Sequence, residues 1–197
     1  GTDVVACLAD EAYDTVVRGA LYPGARDLVR RCRDEGHDVV LVSGAPDWRT
    51  RRMTQIYDLS DPAHPQKIRD FGLPGQGPGA TGAVPPELHG PVSTGPNGNR
   101  VYFGYGTNKG GFIQIVDRDK LLNGPKEPTA ENLRLPEVSR LAMSALNGAH
   151  TTFPMLGMPI AEFAHDKDGK SRDIMMVVDE AILNECNEPR QMVWFAD

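Results

Sequence analysis

The chain of 197 residues has little cysteine and no long apolar run. Its cysteines, Cys7, Cys32 and Cys186, are odd in number and far apart, which excludes a disulfide framework and a Cys-rich zinc module. No stretch approaches the roughly 18 apolar residues of a membrane-spanning helix, and the opening residues lead us to expect no signal-peptide pattern in this chain. The expectation is a soluble protein without a membrane partner, in a bacterial-type cytoplasm or exported. Acidic residues outnumber basic ones 27 to 21, so a nucleic-acid surface is not expected. Gly-x-Ser-x-Gly is absent, and with it the nucleophile elbow of the α/β-hydrolases. What the chain has in quantity is punctuation. Its 21 glycines and 16 prolines argue for short elements joined by turns.

Residues 1–46 read as alternating helix and strand. Leu8 to Arg18 places Leu8, Ala12, Val16 and Val17 near helical spacing. A second helix follows from Pro23, a first-turn proline, with Ala25, Leu28, Val29 and Cys32 on its apolar stripe and Gly36 as its C-cap. Val39 to Val42 is then a fully apolar run of strand length ending on Ser43-Gly44. Helix, turn and apolar strand together suggest a parallel sheet covered by helices.

From about Asp47 the texture becomes β-like, with helical periodicity only around Ala181–Glu185. Short runs at 53–58 and 67–71 flank a turn at Ser60-Asp61-Pro62. A strand pair is expected at 100–105 and 111–117, and another at 173–179 and 190–197. Several apolar strands end on aspartate, at Asp58, Asp117, Asp179 and Asp197. These aspartates either line a channel or accept backbone N–H groups and fix turns. The fold expected is mainly β, with partial propeller-like blades and large Gly/Pro-rich loops after a short α/β segment; a small irregular sandwich is the alternative. A propeller needs at least four blades, and these strands supply two or three. The blade faces left unpaired lead us to expect self-association.

Two resemblances enter here. Tyr22-Pro23-Gly24-Ala25 together with Gly36 to Ala45 resembles the helix and second core strand of haloacid-dehalogenase-like phosphatases, in the phosphoserine-phosphatase-like branch. The likeness implies that Ser43 hydrogen-bonds a phosphoryl group. However, the Asp-x-Asp nucleophile segment of that family has no counterpart here, nor has its carboxylate pair for magnesium. From residue 47 onward, Ile56 to Pro62, Leu88-His89-Gly90-Pro91, Asn99 to Gly106, Gln114 to Arg118, Gly148 to Thr151 and Arg190 to Trp194 resemble the LVIVD-repeat proteins, a bacterial β-propeller family. That likeness implies further blades beyond Asp197. The two likenesses meet near residues 46–48, as in a chimeric or truncated chain, and divide it into segments 1–46 and 47–197.

The remaining candidates are polar clusters. His89 and His150 are expected in Gly-bounded loops between strands, where a propeller would place its axial face. With a carboxylate, Glu180 or Glu185, they could hold a divalent metal, since neutral imidazole is a common ligand. The alternative is that each histidine hydrogen-bonds loop backbone. Asp166-Lys167-Asp168-Gly169-Lys170 has the alternating oxygens of a calcium loop through Asp166 and Asp168, without the completing glutamate; a hairpin turn is the simpler account. Arg49 and Arg51, beside Trp48, are an anion-binding candidate or a solvated loop. Asn108-Lys109-Gly110-Gly111 lacks P-loop spacing and reads as a hairpin. Cys186 has no adjacent base. Three functions follow: a propeller-type binding or scaffold module; a metal-dependent hydrolase of small esters or lactones using His89 and His150; or a remnant phosphatase with Ser43.

Overall fold

A computed structural model describes residues 23–36, 40–43, 53–95, 97–106, 110–166, 168–180 and 192–197. The sequence readings at Leu8–Arg18, Arg49 and Arg51, Asn108-Lys109, Ala181–Glu185 and Cys186 lie outside these residues. Helix α1, Pro23–Asp34, begins on its proline and ends where Gly36 turns with φ 81°. The Gly36 N–H closes the last turn on Arg33 O at 3.0 Å, a left-handed stop that glycine adopts without steric cost. Arg33 reaches out of the helix to the Ser60 carbonyl.

Strands β1 (Val40–Ser43), β2 (Thr54–Asp58) and β3 (Gln66–Phe71) form a three-stranded sheet in that order. Every pairing in it is antiparallel: Val40 lies opposite Asp58, and Thr54 opposite Phe71. The parallel sheet expected around β1 is therefore not formed. An apolar run specifies a buried strand, but its direction is set by the partner, and that partner is β2, on the far side of residues 46–47. Ser43 ends β1 opposite Gln55.

The larger sheet has seven strands: β4 (Leu88–Ser93), β5 (Arg100–Tyr105), β6 (Phe112–Asp117), β7 (Glu137–Ala142), β8 (Thr151–Pro159), β9 (Ser171–Val178) and β10 (Val193–Ala196). Their spatial order is β10-β9-β8-β4-β5-β6-β7. Both expected pairs, 100–117 and 173–197, are antiparallel ladders within it. The order resolves into two antiparallel meanders, β4 to β7 and β8 to β10. They meet at one parallel bridge between their first strands, Gly90 opposite Thr151. The sheet curls, because Ile113 and Ile115 of β6 pack with Met175 and Val177 of β9 and Trp194 of β10, strands far from β6 in the order.

Burial explains why the two sheets stay together. Met53, Ile56, Phe71 and Leu73 from the small-sheet side pack against Leu88, Val101, Phe103, Tyr105, Phe112 and Val116. Each fully buried side chain of this size contributes about 1.5–3 kcal/mol. Two short helices, α2 (Arg118–Asn123) and α3 (Ala130–Arg134), cap this core with Leu121 and Leu133. Neither was expected from periodicity, because one turn and a half presents too few apolar positions to repeat. Their starts are chemically marked instead. Asp117 accepts the Lys120 N–H at 3.0 Å, and Thr129 Oγ1 accepts the Asn132 N–H at 3.2 Å. Buried Arg69 donates to Leu121 O (3.2 Å) and Asn132 O (3.4 Å), tying both helices to β3. Among the described residues, no helix is long and apolar enough to cross a membrane.

Candidate metal centre

His89, His150 and Glu180 come from three separate places in the sequence and meet where the two meanders touch. The reason is the parallel bridge. His89 immediately precedes Gly90 and His150 immediately precedes Thr151, so pairing Gly90 with Thr151 brings the two imidazoles abreast. Their ring centroids are 4.9 Å apart, with planes tilted by 32°. His89 is the extra residue of a β-bulge. Leu88 faces Tyr105 and Gly90 faces Gly104, which leaves His89 without a cross-strand partner. A bulge re-aims a side chain out of the ladder, here toward the neighbouring meander. His89 thus lies in a strand rather than in the loop expected for it, and His150 directly precedes one.

Glu180 follows the end of β9. The His150 N–H donates to Val178 O at 3.0 Å, which draws the end of β9 alongside His150. His150 Nε2 lies 3.3 Å from Glu180 Oε2. On the other side of the ring, His150 Nδ1 is 2.9 Å from Thr151 Oγ1. A metal on Nε2 would require the ring proton on Nδ1, where Thr151 Oγ1 stands ready to accept its hydrogen bond. Partial burial, and after it the neighbouring His150, holds His89 below the ordinary imidazole range, while Glu180 opposes the shift. His89 is thereby biased to the neutral form that binds metal.

One ligand atom from each of the three residues lies within 4.8 Å of the other two. Ligands at about 2.1 Å around a tetrahedral ion stand about 3.4 Å apart, so the widest pair would close by up to about 1.4 Å through side-chain rotation. Two imidazoles and one carboxylate suit a first-row divalent ion, and the side chains of His150 and Glu180 are 35% and 47% exposed, leaving room for water or substrate.

Among the described residues this is the one group of three or more such ligands. Asp166 is otherwise engaged: it pairs with Arg172 at 2.7 Å and accepts the Asp168 N–H at 3.1 Å. Asp166 and Asp168 therefore sit in a turn closed by Arg172, with Gly169 at φ 78°. Ser43 belongs to the three-stranded sheet, apart from the strands that carry the histidines.

Of the two roles expected for the strand-end aspartates, the described hydrogen bonds show the acceptance of backbone N–H groups. Three of the strand-end aspartates accept backbone N–H groups: Asp58 from Ser60 (2.7 Å), Asp117 from Lys120, and Asp179 from Gly148 (3.0 Å) and Glu180 (2.8 Å). Asp197 pairs with Arg172 at 3.1 Å. The repeat of aspartate at strand ends was the available signal, but only tertiary contact distinguishes Asp179 from its fellows. Sequence reasoning overlooked Gly104, Gly111 and Gly148, which hold the 147–149 segment against β5 and β6. A Cβ on Gly104 would stand 2.2 Å from Ala149 O, and one on Gly111 would stand 2.5 Å from Gly148 Cα. Comparisons with family models, curated proteins and solved structures return no match to this chain.

Proposed function

We propose that this chain is a propeller-type binding module whose functional element is a mononuclear divalent-metal site formed by His89, His150 and Glu180. The observation that carries the reading is the convergence of those three ligand-bearing side chains at the bridge between two meanders. Two meanders whose first strands run in the same direction side by side are compatible with a propeller-like arrangement, which supports the reading. Metal uptake tests the proposal. Purified protein stripped with chelator and titrated with Zn²⁺ or Co²⁺ should bind one equivalent. His150→Ala or Glu180→Gln should reduce affinity at least tenfold, and stoichiometric binding that survives both substitutions would refute the site.

A catalytic reading of the same site is favoured by its partial exposure. A bound divalent ion with free coordination positions would supply Lewis acidity toward a carbonyl or lower the pKa of water, as hydrolysis of small esters or lactones needs. In that reading His89, His150 and Glu180 hold the ion, and Thr151 orients His150. Ester and lactone turnover that depends on added metal and disappears in His150→Ala would support it.

The module is also expected to self-associate. Phe153 and Phe195 flank Met176 in one cross-strand row on β8, β9 and β10, and both rings are half exposed or more. Light scattering that shows a monomer at high concentration would contradict this.

A further inference from the structure

The strand-end aspartates do different work. Asp117 caps a helix, whereas Asp179 lies between the two segments that deliver His150 and Glu180. Its carboxylate is buried, at 7% exposure, and among the described residues no Lys or Arg stands within ion-pairing distance of it. Its donors are amides. Oδ1 accepts the Glu180 N–H at 2.8 Å, and Oδ2 accepts the Gly148 N–H at 3.0 Å and lies 3.5 Å from Asn147 Nδ2. One carboxylate thus grips the residue two before His150 and, at once, the backbone of Glu180. The fit is close: a Cβ on Gly148 would lie 2.7 Å from Asp179 Oδ1 and 2.3 Å from Gly106 O.

The 147–149 segment is held from its other side as well. Ala149 N–H donates to Gly106 O at 2.8 Å, and the Gly111 N–H donates to Asn147 O at 3.0 Å. Asp179 therefore completes a frame around the segment that ends in His150. Burying a carboxylate costs hydration, and among the described residues amides rather than a counter-ion compensate for it here. A cation at the adjacent site would offset part of that cost.

We infer that Asp179 is the positioning residue of the metal site: by joining the Gly148 and Glu180 amides it sets the separation of His150 from Glu180. The inference rests on the metal reading above. Hydrogen-bonded groups behind the ligands commonly influence affinity by 10- to 100-fold, and that is the size of effect expected here.

The test compares the wild type with Asp179→Asn and Asp117→Asn. Co²⁺ binding is measured by competition with a chromophoric chelator, the ligand field by visible absorption, and stability by thermal melting. Asp179→Asn should bind Co²⁺ 10- to 100-fold more weakly and with an altered d–d spectrum. Asp117→Asn, which alters a strand-end aspartate on a helix cap and keeps that cap through the Asn amide oxygen, should fold and leave affinity and spectrum unchanged. A folded Asp179→Asn protein with wild-type affinity and spectrum overturns the role of Asp179 while leaving the metal site standing. A wild type that takes up no Co²⁺ overturns the metal reading and the role of Asp179 with it. Should Asp179→Asn fail to fold, amide hydrogen exchange on the wild type decides the matter. Zn²⁺ should slow exchange at Gly148 and Glu180, and unchanged exchange at both, with Zn²⁺ bound, overturns the inference.

Discussion

Replacing Gly104 with alanine probes whether packing between strands governs the site. Gly104 does not have positive φ, so alanine meets no backbone penalty there and the cost is steric. The new Cβ would stand 2.2 Å from Ala149 O, 3.1 Å from Ala149 C and 3.1 Å from His150 O. Ordinary contact requires about 3.5 Å, so the 149–150 backbone must retreat by about 1 Å. That retreat strains the Ala149 N–H bonds to Tyr105 O (3.2 Å) and Gly106 O (2.8 Å). Overpacking costs about 1–3 kcal/mol and weakening the one Ala149 N–H shared by both acceptors about 1 kcal/mol, so a loss of about 2–4 kcal/mol is expected. For a chain of this size that lowers the melting temperature by about 5–15 °C. The same displacement moves His150 away from His89, and an error of about 1 Å at a site can cost about 100-fold in function. Melting followed by circular dichroism, with Co²⁺ titration of the folded fraction, measures both effects. Gly90→Ala is the control, because its Cβ would stand 3.4 Å from His150 O and asks for a shift of only tenths of an ångström. Equal stability and Co²⁺ affinity in Gly104→Ala and wild type would refute the reasoning.

Two further outcomes test the frame. Arg69→Met keeps the buried stem but strands the carbonyls of Leu121 and Asn132, so the urea midpoint should fall by an amount equivalent to about 2 kcal/mol; an unchanged midpoint would show that the clamp on α2 and α3 contributes nothing. The Asp117 carboxyl is held below its ordinary value of 3.8, first by the Lys120 N–H, so its stabilisation is present above pH 3.8 and lost as pH falls through the lower folded value. Asp117→Asn should therefore flatten part of the acid limb of a stability–pH curve, and an identical limb in the two proteins would contradict the assignment.

The strands readable from sequence were those whose side chains alternate or run apolar over several residues. β5 and β6 are such strands, and both carry core residues on the face toward the small sheet, Val101, Phe103 and Tyr105 among them. β4 and β8 escaped because they contain breakers, Gly90 and Pro91 in one and Pro154, Gly157 and Pro159 in the other. The fold tolerates them because the two strands bond to each other at a single residue pair, so beyond it each is effectively an edge, where proline is permitted. In β8 the irregularity lies between Met155 and Met158, around Gly157 at φ 66°. β7 escaped for a different reason. Its Val138 and Leu141 are exposed, so no buried face imposed a pattern.

His89, His150 and Glu180 could be named from the sequence because their chemistry and their Gly-bounded or strand-end settings are local properties. Local sequence also determined the start and stop of α1, the turns after the strand-end aspartates, and the apolar runs that became β5, β6 and β9. Tertiary structure alone decided the antiparallel direction of β1, the joining of two meanders at Gly90 and Thr151, and the division of labour between Asp117 and Asp179. Hydrogen-bond capping and side-chain periodicity act over a few residues and are written into adjacent positions. Strand pairing and the meeting of the two histidines act between residues from about 15 to about 60 apart, and only the packed core brings those together.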